Sequence, residues 1–572
     1  MENSYRRIIR EVGEFGRFQK TAAICLAVLA LPHAMHCLSM AFLGALPEHH
    51  CRLPAINTST SALDDFPLLS SPYRQDSLNG SIPLEMDSGG EWRYSRCLQY
   101  NFTDGLRVDT DNRTLQVQHC TDGWVYDRSH YGTSIVTQFD LVCDRAWLRE
   151  FAQSVHMLGF SFGAITSGAL SDRYGRRPTL LWCIFLLFTF SVASAFSPNY
   201  IVFVILKFVL GAVNVSIYYT AFVLGMELLD HSKHTMFGMC MYLFLVLGYV
   251  GLGAFAYVIR NWRKLQLAIS APFLLCLTYW WLLPESPRWL IVTGRMKQAK
   301  RVIKRAAKMN QADLPDKLYH EMDCSLIQEN GNDKNGRRDH NLLDLVRTPN
   351  IRKNTLVVGF TWFVMIAVYF GLSLGSPDLP GDPYMNFIIC SSVEIVAVVV
   401  AWSTMNRWGR KPPVIAAFIV AGVSCAATSA VPKDLWRVST GLAMVGKLCV
   451  SVTYAVFPVY SAEVFPTVVR NMGIGTVSMI GRAGGILAPF VALLGKYWAP
   501  LPLLTFGVLS FLNGVAILAL PETLGVPLPN TLEDAENLKS LGEKNLQNTE
   551  KILSEELQKT EKIEIYDKIT VL

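Results

Sequence analysis

One basic residue inside an apolar stretch sets the chemistry to be explained. Residues 471–494, NMGIGTVSMIGRAGGILAPFVALL, are long and apolar enough to cross a bilayer as a helix, and Arg482 stands at their middle. At ~1.5 Å per residue the guanidinium lies roughly 17 Å from the segment's start, near the midplane of a ~30 Å hydrocarbon core. A lone charge there costs at least ~2.5 kcal/mol, so it must face a watery cavity or a partner. Two readings are open. The planar fork can grip the carboxylate of a passing solute, or it can form a structural ion pair, with Glu394 as the candidate partner.

Other polar groups fall within apolar runs. His33 and His36 flank Pro32 in the first run, and Lys207, Asn214, Tyr218 and Tyr219 lie in the fourth, which ends at Glu227. Glu394, Lys447 and Glu463 mark later runs. The histidines are either solute contacts or residues satisfied by neighbouring helices. No nucleophile–base pair, metal-ligand cluster or phosphate-cradling loop stands out, so an enzyme is not expected. The segment GMELLDHS, residues 225–232, lacks the second glycine and the lysine of a nucleotide loop.

The composition supplies the frame for these residues. The chain has 572 residues, 51% of them hydrophobic and 17% charged, against about 25% charged in soluble domains. That balance fits a membrane protein. The net charge of +6 is small for the length, and no compact basic-aromatic patch suits nucleic acid.

Basic residues set the topology. Residues 1–20 carry Arg6, Arg7, Arg10, Arg17 and Lys20, which place them in the cytosol. The first span covers 21–43. Residues 44–148 form a long polar loop with N-x-S/T sequons at Asn57, Asn79, Asn101 and Asn112. Clustered in one loop, these read as extracellular glycosylation sites. The loop also holds Cys51, Cys97, Cys120 and Cys143, an even set expected to form two disulfides in one of three pairings. Spans two to six occupy 149–283. A basic stretch, 284–353, separates them from six further spans in 354–520. Within it, residues 294–309 form a basic helix that reads either as solvated or as a calmodulin or lipid ligand. Residues 521–572 are a polar tail on the same side as the N-terminus. It ends in Thr570-Val571-Leu572, which fits a PDZ-domain ligand.

The halves repeat each other. The run SDRYGRRP from Ser171 matches MNRWGRKP from Met405, and LPES from Leu283 matches LPET from Leu520. Tyr219 with Glu227 has a counterpart in Tyr454 with Glu463. The copies lie about 235 residues apart, as suits parallel halves that alternate access to a midplane site between them. In the first loop Gly175 permits a tight turn, and Asp172, Arg173, Arg176 and Arg177 form a charge cluster able to latch one state. Arg407 and Arg410 repeat it, with Asn406 in the place of Asp172, which predicts a weaker latch.

These motifs resemble those of the major facilitator superfamily. SGALSDRYGRR is close to its loop signature, and PESPRWL to its sugar-porter and organic-ion branches. EFGRFQ (14–19), PEHHCR (47–52), TDGW (121–124), FDLVCD (139–144) and AEVFPTVVRNMGIG (462–475) narrow the likeness to the organic cation, anion and zwitterion transporters. YFGLSLGSPDLPGD (369–382) and LLDLVRTPNIR (342–352) resemble the organic cation/carnitine subgroup. The resemblance implies an all-α fold of twelve spans in two six-helix halves. It further implies a plasma-membrane carrier of carnitine-like zwitterions or organic cations, with sodium as a possible co-transported ion and no other cofactor. Arginine at 482 fits carnitine and anion types, whereas cation types carry an acidic residue there. The anion types' lysine in the eighth span is missing. A trimethylammonium would need aromatic faces, for which Trp362, Tyr369, Tyr454, Tyr218 and Tyr219 are candidates, with Glu394 supplying charge. Lys447 and Glu463 match motif positions near the cytosolic helix ends, which implies gating, with ion coupling also open for Glu463. Two alternatives remain: an organic-anion exchanger for carboxylates or urate, and a non-transporting glycosylated receptor or adhesion protein.

Overall fold

The computed structural model describes residues 11–52 (save 14), 81–86, 92–100, 117–312 and 344–537 (save 525, 527, 528 and 530). The four sequons, the PDZ-like terminus and residues 313–343 lie outside this set.

Twelve helices carry the expected spans. The first half has α1 (Arg17–Cys37, extended by Met40–Leu43), α2 (Trp147–Tyr174), α3 (Arg176–Ala195), α4 (Tyr200–Leu228), α5 (His234–Val258) and α6 (Trp262–Cys276, extended by Tyr279–Leu282). The second has α7 (Pro349–Gly375), α8 (Pro383–Trp408), α9 (Lys411–Ala430), α10 (Trp436–Val464), α11 (Arg470–Leu493) and α12 (Leu501–Ile517). Ten of these, counted with their extensions, are long and apolar enough to cross a membrane among the described residues. The exceptions are α12, which is short at 17 residues, and α2, whose 28 residues include Gln153, His156 and several serines and glycines.

Local chemistry explains the boundaries. Asn199 starts α4 by accepting a hydrogen bond from the Val202 amide at 2.9 Å. Asn261 starts α6 by accepting from the Arg263 and Lys264 amides. Such caps satisfy amides that have no partner within the helix.

Among its described residues, the polar loop between α1 and α2 forms three two-stranded antiparallel sheets from six three-residue strands. β1 (His49–Cys51) pairs with β6 (Trp124–Tyr126), β2 (Leu84–Met86) with β3 (Trp92–Tyr94), and β4 (Leu98–Tyr100) with β5 (Val117–His119). The disulfides are Cys51–Cys120 and Cys97–Cys143. So short a sheet buries little apolar surface, and cross-links that limit the unfolded chain compensate.

The chain forms two compact units that cut across the repeat. One holds residues 1–336, 371–392 and 486–502; the other holds 337–370, 393–485 and 503–572. The first unit is tied together on the side of the disulfide-bonded loop, here called the loop face. Tyr384 donates its hydroxyl to the His130 carbonyl at 2.7 Å and stacks on Phe42 at 5.5 Å. Arg149 approaches Asp378 at 3.4 Å, and the Ser154 hydroxyl donates to the Ile486 carbonyl at 2.7 Å.

Candidate functional site

The second unit gathers most of the expected site on four of its helices. Glu394 from α8 and Lys447 from α10 form an ion pair at 2.7 Å, with both side chains 1% exposed. Tyr369 from α7 donates its hydroxyl to Glu394 at 3.0 Å. The Lys447 ammonium lies 3.4 Å from the centre of the Tyr369 ring, so one tyrosine serves the carboxylate by its edge and the cation by its face. Tyr454, a further two turns along α10, stacks on Tyr369 at 4.6 Å. Trp362 meets Phe457 edge-on at 6.1 Å.

Arg482 enters from α11, half-buried. Its helix lies close against α7. A Cβ at Gly484 would sit 2.2 Å from the Phe363 carbonyl oxygen, and one at Gly481 would sit 3.1 Å from that of Trp362. Only glycine admits two helix backbones at that separation. The glycines flanking the arginine thus fix its helix beside Trp362.

Glu394 pairs with Lys447. One expectation is corrected here. Lys447 is not near a helix end: it is the twelfth of 29 residues in α10 and fully buried. Its charge requires a carboxylate at that depth, which Glu394 supplies.

A second correction concerns the repeat. The helices α4 and α10 both have 29 residues and end at matching positions, with Glu227 aligned to Glu463. That register sets Tyr218, not Tyr219, against Tyr454. Tyr218 is half-buried and stacks on His33 at 4.9 Å, whereas Tyr219 is 38% exposed. His33 is satisfied by a neighbouring helix: its Nδ1 lies 3.0 Å from Asn214 Oδ1.

Each repeat builds the same charge cluster within its own unit. In the first, the Arg176 fork donates to both oxygens of Glu227 at 3.0 Å. Asp172 adds a contact at 2.9 Å. Glu285 accepts from the Arg176 and Arg177 amides at 3.1 and 3.2 Å. In the second, Arg410 pairs with Glu463 at 3.1 Å, and Glu522 accepts from the Arg410 and Lys411 amides at 3.1 and 3.0 Å. Gly175 (φ +109°) and Gly409 (φ +93°) make the turns; any Cβ there would strike the Glu285 or Glu522 carboxylate. Burial pushes the Glu285 carboxyl above its usual range, against the pull of the Ser286, Arg177 and Arg176 amides.

Arg177 donates to the Trp280 carbonyl, and Lys411 to those of Leu518 and Leu520. Arg173 and Arg407 are exposed and stand outside both clusters. The carboxylates Glu285 and Glu522 had a sequence signal, since each is the glutamate of a repeated LPE motif, but no role was read into it.

A twelve-helix chain with a repeated charge cluster and ionised groups deep in its second unit is a membrane transporter of the major facilitator fold. The profile of the "Sugar (and other) transporter" family matches residues 142–534. The chain is 37% identical over 547 residues to the "Organic cation transporter protein" of Drosophila melanogaster, covering 93% of this chain and 94% of that one. It is also 37% identical over 549 residues to the human "Organic cation/carnitine transporter 2", covering 94% and 95%. The inward-open xylose transporter XylE of E. coli superposes with a TM-score of 0.54 at 19% identity, covering 71% of this chain and 93% of that one, and supports the fold. The chain therefore belongs to the organic cation, anion and zwitterion transporters within the sugar and other transporter family, with likeness to the organic cation/carnitine subgroup.

Proposed function

We propose that this protein is a plasma-membrane secondary carrier of carnitine-like zwitterions or organic cations, working by alternating access. In this reading the loop face is extracellular, both termini are cytosolic, and the C-terminal residues engage a PDZ domain. The supporting observation is the charge balance in the second unit. Glu394 neutralises Lys447, so the two ions and Arg482 together leave one positive charge beside stacked tyrosines. One carboxylate and one quaternary ammonium suit that arrangement, with Arg482 gripping the carboxylate and aromatic faces receiving the cation. A dicarboxylate would need two uncompensated cations. The similarity to relatives named for organic cations and carnitine points the same way.

Uptake of labelled carnitine into proteoliposomes, with and without a sodium gradient, tests the reading. Saturable uptake that sodium stimulates is expected, and Arg482→Asp is expected to lower it at least tenfold. Transport of urate or a dicarboxylate without carnitine would overturn the assignment. Unchanged carnitine uptake in Arg482→Asp would overturn the role of the guanidinium.

A further inference from the structure

The first unit holds a buried cation that the proposed site does not use. Lys207 on α4 is 1% exposed. Its ammonium donates to the Ser39 hydroxyl at 3.2 Å and lies 5.4 Å from the centre of the Phe203 ring. Ser39 in turn donates to the His36 carbonyl at 3.0 Å. Among the described residues no carboxylate lies within ion-pair distance of Lys207.

The surroundings add positive or neutral donors rather than negative charge. His156 of α2 bonds through Nδ1 to the Lys207 carbonyl at 3.0 Å. His36 of α1 lies one turn before Ser39 and is 2% exposed. The Nε2 atoms of both histidines are buried with no hydrogen-bond partner among the described residues. So are both amide atoms of Gln153, which shares a face of α2 with His156. Towards α4, then, α1 presents His33 and α2 presents His156, while the His36 ring packs on Phe273 of α6 at 5.6 Å.

An ammonium removed from water costs several kcal/mol unless a counter-charge meets it. A bundle that keeps one with only a hydroxyl and an aromatic ring beside it, amid unused polar atoms, lacks an anion. We propose that Lys207 and the polar groups around it form a buried site for a small monovalent anion, with chloride as the physiological occupant. Lys207 supplies the charge, while the Gln153 amide N–H supplies a hydrogen bond. Full burial of the ammonium favours a monatomic ion over the carboxylate of a transported solute. The proposal stands independently of which solute is carried.

The test uses the purified full-length chain in detergent at constant sodium, with chloride exchanged for gluconate. Saturable chloride stabilisation is expected, raising Tm by a few degrees once chloride exceeds its Kd, with about one ³⁶Cl⁻ bound per chain. Lys207→Gln should abolish both effects, and Lys207→Arg should keep them. If Lys207→Gln does not fold, Gln153→Leu should weaken chloride binding by about tenfold. A wild type indifferent to chloride would overturn the site. Full chloride binding in Lys207→Gln, or unchanged affinity in Gln153→Leu where that variant is the one measured, would do the same. Stabilisation by carnitine in place of chloride, lost in Lys207→Gln, would reassign the lysine to the transported solute and likewise overturn it.

Discussion

The fourth and tenth helices occupy equivalent places in the repeat, have equal length, and each bury one lysine, yet the two lysines are satisfied differently. Lys447 is met by Glu394 at 2.7 Å and by the face of Tyr369. Lys207 has a serine hydroxyl and a phenylalanine ring. The lysines differ by one turn once the helices are set in register by Glu227 and Glu463. Pseudo-symmetry therefore conserves the backbone and the charge clusters at its end, while the buried charge is free to change partner and depth. The difference separates a self-neutralised pair from a buried cation that has no carboxylate within ion-pair distance among the described residues.

The largest effect that could break this contrast is expected from Glu394→Gln. It strands Lys447 without a carboxylate, a loss worth about 3–5 kcal/mol for a buried pair. A sharply lowered Tm and loss of surface protein should follow, with both recovered in the double variant Glu394→Gln/Lys447→Met. Recovery failing in the double variant would show that the pair contributes more than mutual neutralisation.

A smaller effect sharpens the other side of the comparison, where the repeats agree. Glu285→Gln keeps an oxygen for the Arg176 and Arg177 amides, and burial already disfavours the charge. It is expected to cost about 1 kcal/mol, against roughly 2–3 kcal/mol for Glu285→Ala, which leaves both amides unpaired. The same ordering is expected at Glu522, measured as transport rate and Tm in parallel. The smallest effect is expected from Tyr219→Phe, within about 0.5 kcal/mol and without change in uptake, because that side chain is exposed. A large loss there would restore Tyr219 as a contact and undo the register argument.

Much of this was legible beforehand. Apolar runs fix the helices because the bilayer demands internally satisfied backbone, and repeated motifs at constant spacing fix the two halves. Arg482 and Glu394 were singled out from residue type and position, and Tyr369, Trp362 and Tyr454 as aromatic candidates for the cation that the family resemblance implied. What could not be read was pairing. Glu394 and Lys447 are 53 residues apart and meet only through tertiary packing. The motif likeness drew Lys447 towards a helix end, although its place within its own apolar run already argued for the middle. The three-residue strands carry no periodicity, so the sheets of the polar loop left no signal. The pairing of its cysteines was likewise undetermined by spacing.

The contact of Gly481 and Gly484 with the seventh helix has a mechanical corollary. At Gly484 the α11 backbone meets the Phe363 carbonyl of α7 directly, while a Cβ at Gly481 would meet the Ile366 side chain at 2.8 Å, so backbone contact sets the spacing of the two helices just beyond Arg482. In the proposed carrier, moving the guanidinium would therefore mean moving α7 with it.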